Sequence, residues 1–240
     1  MTDGSDRPHG EGRSQFRAQL AEAERLALDG MDLAAAQLQR AIDAVEHHDM
    51  ALVAAVVAGD DVIDERCLDL HGRLFALLAL QAPVATDLRL VTALLQLARV
   101  IERMGDQCVN VAKLVPLDGH DPPVHAHLLE DLGVMGRLAA AEVEQARRAF
   151  QRRDLALARD LLHQDRDVNE LNRRVFRQAW ESGGDADMRE WAMHMILVAR
   201  AIERIGDLAV DAGEQLAFVL TGTFQEFRDA SHPSVSDAAL

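Results

Sequence analysis

The sequence predicts an all-α fold of two tandem, repeated three-helix bundles, six long helices in all, and three observations carry that reading. The six prolines (Pro8, Pro83, Pro116, Pro122, Pro123, Pro233) leave three long proline-free gaps, and proline is excluded from helix interiors. Tyr is absent and Ala, Leu and Arg are abundant, a composition rich in helix formers. The stretch Ala98–Val109 recurs 101 residues later as Ala199–Val210, with eight of twelve positions identical.

Each element follows from local signals. A first helix spans about Gln15 to His47, and Asp49 caps a second that reaches about Gln81 before the turn at Pro83. The third runs from about Ala85 to Val115 with an apolar seam at Leu90, Leu94, Leu97, Ile101, Met104, Cys108, Val111 and Val115. That alternation of four and three is one buried stripe. Pro116 to His125 reads as a linker, a fourth helix covers about 126 to 151, and Asp154 caps a fifth ending near Gly183-Gly184. The sixth, from about Asp187 to Leu220, repeats the seam through Trp191, Met195, Val198, Ile202, Ile205, Ala209, Ala212, Leu216 and Val219. The expected organisation is a tail over 1–14, a bundle over 15–116, a linker over 117–125, a second bundle over 126–220 and a tail over 221–240. Asp49-Met50-Ala51-Leu52 matches Asp154-Leu155-Ala156-Leu157, and Asp60-x-x-Ile63-Asp64-Glu65 matches Asp165-x-x-Val168-Asn169-Glu170, both 105 residues apart. The second copy is therefore about one helical turn shorter at its second turn.

Composition bounds the function classes. A net charge of −15 opposes nonspecific binding to nucleic acid or an anionic membrane and suits cations or basic surfaces. Cys67 and Cys108 are too few for a disulfide framework and read as buried, reduced thiols. The polar N-terminal segment lacks a signal-peptide pattern and no apolar run approaches a membrane span, so the expectation is a cytoplasmic protein without membrane insertion.

The acids point to chemistry. Glu102 and Asp106, and again Glu203 and Asp207, stand four apart on a helix, where like charges cost roughly 0.2–0.5 kcal/mol per pair. Gly105 and Gly206 add about 1 kcal/mol each relative to Ala in mid-helix. The preceding helices carry Asp60/Asp64 and Asp165/Asn169 at the same spacing. In an antiparallel hairpin, residues equidistant from the turn are level. The first two pairs are centred on Pro83 and the second two just past Gly183-Gly184, so each half brings two acidic pairs together. Converging carboxylates suit a hard cation that prefers oxygen, such as Mg²⁺, Mn²⁺, Ca²⁺ or iron. The seam phase turns Glu102 and Asp106 away from the core, which places the site on the outer flank. The competing account is a solvated face in which Arg99, Arg103, Arg200 and Arg204 pair with the acids.

Other candidates are weaker. Asn110 and Asp211 lie one turn further along. His120, His125 and His127 read as linker residues, and Glu190/His194 as a surface pair. No Glu-x-x-His occurs, which counts against a ferritin-like di-iron oxidase. No phosphate-binding Gly loop or nucleophile–base pair stands out, and no catalytic residue is expected.

The doubled Arg-x-x-Glu-Arg-x-Gly-Asp motif, the Pro83-x-x-x-Asp87-Leu88-Arg89 turn and the acid pairs of the preceding helices resemble the PhoU family of bacterial phosphate-transport regulators, over about residues 15 to 220. The resemblance implies two similar three-helix bundles with metal clusters, typically iron or zinc, on their surface. The implied ligands are Asp60, Asp64, Glu102 and Asp106 in one half and Asp165, Asn169, Glu203 and Asp207 in the other, Asn169 being a neutral amide. It further implies a homodimeric, non-enzymatic negative regulator of phosphate uptake and starvation signalling. Such a protein links the ATPase subunit of a phosphate ABC transporter to a sensor histidine kinase and its response regulator. The alternatives are a cation-binding or storage helical protein outside phosphate control, and a carboxylate-bridged metal hydrolase or oxidase.

Overall fold

The computed structural model describes residues 8–119, 122, 123, 125–182 and 186–227. Six α-helices follow one another: α1 (Pro8–His47), α2 (Met50–Gln81), α3 (Ala85–Leu114), α4 (Ala126–Arg152), α5 (Leu155–Glu181) and α6 (Ala186–Thr221). α1, α2 and α3 pack together as one bundle and α4, α5 and α6 as another.

The Asp signals act as expected at both α1–α2 and α4–α5 corners. Asp49 Oδ1 accepts from the N–H groups of Ala51 (2.8 Å) and Leu52 (3.1 Å). Asp154 Oδ1 accepts from Ala156 (2.9 Å) and Leu157 (3.1 Å). Each satisfies two orphan donors of a helix start. Before each cap the chain passes through a left-handed residue, His48 (φ 49°) and Arg153 (φ 55°). The next N–H then returns to a carbonyl of the finished helix, Asp49 to Ala44 and Asp154 to Ala149, each at 3.0 Å.

The seams are where the spacing puts them. Every predicted seam residue of α6 is buried, and on α3 only Leu90 is half-buried. Both helices also bury residues off the seam, including Val100 and Val109 on α3 and Ala201, Leu208 and Val210 on α6. The cause is a second contact face, because α3 packs on α6 as closely as on its own bundle and α1 packs likewise on α4. Both contacts are antiparallel. Arg153, at the end of α4, grips Glu24 in the first half of α1 through two bonds of 2.6 and 2.7 Å. Arg147 lies 2.7 Å from Asp32, and Arg137 lies 3.9 Å from Glu46. That register sets Gln37 level with Glu142. α2 and α5 are left on the outside.

Three expectations about the ends and connections change. Residues 8–14, read as tail, continue α1, whose first residue is Pro8, an imide that needs no N–H partner there. The linker begins with a 3₁₀ turn, Val115–Asp118, and the buried Asp118 carboxylate bonds His194 Nδ1 of α6 at 2.6 Å. His194 therefore belongs to Asp118 rather than to Glu190. The expected C-terminal tail is partly docked. Gly222 (φ 76°) reverses the chain, Phe224 stacks on Phe218 at 3.8 Å, and the Phe227 N–H donates to Glu214 Oε1 at 2.6 Å. His120 and the Gly183-Gly184 turn lie outside the described residues, as do 1–7 and 228–240. Of the other linker histidines, His125 caps α4 by accepting from the Leu128 N–H, and His127 is exposed.

Candidate metal centre

Helical phase determines which acids meet solvent. On α3, Ile101, Met104, Gly105 and Cys108 are buried, whereas Glu102 and Asp106 are exposed. On α2, Ile63 and Cys67 are buried, Asp60 is half-buried and Asp64 exposed. The two helices meet at Gly105. A β-carbon there would stand 2.5 Å from Asp60 Oδ1 and 3.4 Å from Ile63, so the missing side chain makes the room that the Asp60 carboxylate occupies. Asp60 Oδ1 is buried without a hydrogen-bond partner. Burial, followed by the charges of Asp64, Asp106 and Asp61, pushes the Asp60 carboxyl up to about 6, against a lowering by Lys113. Glu102 sits one turn away, level with Cys67 and Asp64.

The second half repeats the contact. A β-carbon at Gly206 would stand 2.9 Å from Asp165 Oδ1. The two hairpins thus share the register that their turn positions predict. The surroundings differ, however. Asp165 is buried, and its Oδ2 accepts from Asn169 Nδ2 at 2.6 Å, so the amide serves the acid as a donor. Glu203 is buried and bonds Arg200 on its own helix, while Asp207 is exposed. The arginine reading therefore holds for Glu203. Burial raises the Asp211 carboxyl, and the charge of Arg103 offsets only part of that rise. Asn110 is exposed on α3.

The sequence reading missed Glu142 on α4. It is wholly buried, neither of its oxygens has a hydrogen-bond partner, and Oε2 stands 2.8 Å from the same vacant β-position of Gly206. Burial and the charges of Asp165, Asp207 and Asp167 push its carboxyl up to about 9. The signal was present in the sequence. Leu128, Leu132, Met135, Ala139, Glu142, Ala146 and Ala149 step by four and three, which places one acid in an otherwise apolar seam.

Among the described residues no three or more His, Cys, Asp or Glu side chains stand together as a group that could hold a metal ion. What each half does present is a glycine-made recess beside a carboxylate with at least one buried oxygen, with further acids one turn away. Orphaned buried oxygens on Asp60 and Glu142 are the groups a cation would satisfy. The donors are oxygens, which suits iron, Mn²⁺ or Mg²⁺. Zinc also accepts carboxylate oxygens, so this donor set does not separate it from iron.

Comparison with known proteins agrees with this architecture. The model of the PhoU domain matches residues 29–115 and again 132–216, one copy in each bundle. The phosphate-specific transport system accessory protein PhoU homolog of Caulobacter vibrioides is 32% identical over 191 residues, covering 79% of this chain and 83% of its own. The crystal structure of the phosphate transport system regulatory protein PhoU from Streptococcus pneumoniae superposes with a TM-score of 0.80 at 22% identity, covering 88% of this chain and 99% of that one. PhoU from Pseudomonas aeruginosa superposes at 0.79 with 25% identity, covering 87% and 100%.

Proposed function

This chain belongs to the PhoU family, and on that premise we propose that it is a non-enzymatic negative regulator of phosphate uptake and phosphate-starvation signalling. It works in the cytoplasm as a homodimer, as an adaptor between the ATPase subunit of a phosphate ABC transporter and a sensor histidine kinase. The observation that carries the reading is the doubled domain, matched in both bundles and at 32% identity to a phosphate-specific transport accessory protein. Among the described residues no helix is long and apolar enough to cross a membrane, which fits an adaptor that binds membrane machinery from outside the bilayer.

The same proposal gives the carboxylates a cation-binding role. Asp60, Asp64, Glu102 and Asp106 would hold metal in the first half, and Asp165, Glu203 and Asp207, with the Asn169 amide, in the second. A bound cation supplies positive charge that neutralises repulsion between acids of neighbouring helices. The chain contributes the rest: Gly105 and Gly206 keep the recess open, and the buried seams of α3 and α6 fix the acid pairs at one level. Exposure of Asp64, Glu102, Asp106 and Asp207 leaves the rim of each site on the outer flank, where a partner's ligand can reach it.

Deleting the chromosomal copy tests the regulatory reading. Phosphate uptake and starvation-gene expression should rise in phosphate-rich medium and return to normal when the gene is restored. Normal repression in the deletion strain would refute it. For the cation clause, Glu102→Ala/Asp106→Ala should lower bound metal measured by elemental analysis, and unchanged stoichiometry counts against that site.

A further inference from the structure

The two halves differ in a way that simple repetition does not explain. At the offset of 105 residues Asp64 becomes Asn169, so the second half loses a carboxylate. At the same offset Gln37 becomes Glu142, so it gains one. Gln37 is satisfied where it stands, its amide donating to the Val56 carbonyl of α2 beside Gly59. Glu142 has no such bond. Its carboxylate, wholly buried and without a hydrogen-bond partner, faces the Gly206 recess alongside Asp165 Oδ1, the two oxygens standing 2.8 and 2.9 Å from one point. The charged groups of α5 and α6 that act on it are acids: Asp165, then Asp207 and Asp167. Arg200 of α6 is bonded to Glu203. A wholly buried carboxylate without a hydrogen-bond partner, as Glu142 is, needs either a proton or a cation, since an isolated buried charge is among the most costly features a fold can hold.

We infer that Glu142 is a ligand of the second-half cation site, supplying from α4 the carboxylate that Asn169 lacks. The site then draws donors from three helices, with Glu142 and Asp165 as its floor and Asp207 at its rim, whereas the first-half site uses α2 and α3 alone. The ligand class is a hard, oxygen-seeking cation. The inference rests on the cation-binding reading above and names a donor that reading did not include.

The test is Mn²⁺ titration of the full-length protein, followed by electron paramagnetic resonance, with elemental analysis of the dialysed product. Three proteins are compared: the natural chain, Glu142→Gln, and Asp60→Asn/Asp64→Asn, which disables the first half. The natural chain should take up Mn²⁺ in both halves. Glu142→Gln should retain the first-half site and weaken the second by roughly tenfold or more, the scale on which even supporting groups of a metal site act. In the Asp60→Asn/Asp64→Asn background, adding Glu142→Gln should remove the remaining tight binding. Circular dichroism in chelator checks that each variant is folded, so lost binding is not lost structure. Unchanged second-half affinity in a folded Glu142→Gln protein overturns the inference and leaves the cation reading standing. A natural chain that takes up none of Mn²⁺, Zn²⁺ or ferric iron overturns both.

Discussion

Glu142 sets a test that needs no metal at all. Its carboxyl is raised from 4.5 to about 9 by burial and by Asp165, Asp207 and Asp167. The folded chain therefore keeps a proton that the unfolded chain releases once pH passes 4.5. Stability associated with this group is fully present below pH 4.5 and declines as pH rises toward 9, because the folded state binds more protons across that window. Each pH unit inside the window is worth at most about 1.4 kcal/mol, so between pH 5 and 7 the loss approaches ~3 kcal/mol. Relaxation of the recess reduces it, and about 2 kcal/mol is the expected size. Glu142→Gln cannot titrate, though its amide brings unpaired donors that cost about 1–3 kcal/mol at every pH. The offset between the two proteins is thus a poor guide, and its dependence on pH is the diagnostic. Urea unfolding of both proteins in chelator at pH 5, 6, 7 and 8 should show Glu142→Gln gaining on the natural chain by about 2 kcal/mol from pH 5 to 7. Asp60, also raised, titrates in both and cancels in the difference. A difference that stays flat across this range would refute the argument, since it would mean that Glu142 ionises as a solvated acid.

Other consequences can be measured with the same equipment. Asp49→Ala and Asp154→Ala should each cost about 1 kcal/mol, and the double variant about twice that, because the two caps sit in separate corners of the fold. Arg153→Ala removes the two-bond grip on Glu24 between the bundles and should cost about 1 kcal/mol, with a double-mutant cycle through Glu24→Ala recovering most of it as coupling. Gly105→Ala forces Asp60 to move, since the added carbon would stand 2.5 Å from its Oδ1. It should weaken first-half cation binding in elemental analysis while changing stability little, because the helix gains up to about 1 kcal/mol from the Ala. Gly136→Ala instead drives a carbon into the Ile42 side chain and should destabilise the chain by about 1–3 kcal/mol in thermal unfolding.

Much of the fold was legible because its signals are local. Proline gaps, capping aspartates and a seam stepping by four and three each act within a few turns, and the structure keeps all of them. The register of each hairpin was legible too, since a short turn leaves two antiparallel helices little freedom to slide. Asp60 against Gly105 and Asp165 against Gly206 are that register seen in atoms. What escaped is long-range. The docking of α1 on α4 and α3 on α6 was announced only by apolar residues beside the seams, such as Val100 and Val109, which a bundle of three helices alone would leave in water. The pairing of His194 with Asp118 joins residues far apart in sequence, and no periodicity connects them. Glu142 was visible as a lone acid in an apolar seam, but its partners could be identified only once α5 and α6 were in place.

The two polar seam residues show why a duplicated frame need not give duplicated sites. Gln37 and Glu142 occupy matching positions on α1 and α4, each buried and each turned toward its own bundle. An amide there can donate, and Gln37 spends that donor on the Val56 carbonyl, which ties α1 to α2 and closes the position to further ligands. A carboxylate has no donor while ionised, so the same backbone contact would set acceptor against acceptor. Glu142 makes no such tie and stands instead at the Gly206 recess, where its oxygens are open to a proton or a cation. One exchange of nitrogen for oxygen thus separates a structural cross-tie from a candidate ligand. Conversely, Asn169 takes the donor role in the second half by bonding Asp165, orienting its other oxygen toward Glu142. The acid count is kept while its depth changes: in the first half Asp64, Glu102 and Asp106 are exposed, whereas in the second Glu142, Asp165 and Glu203 are buried and Asp207 is exposed.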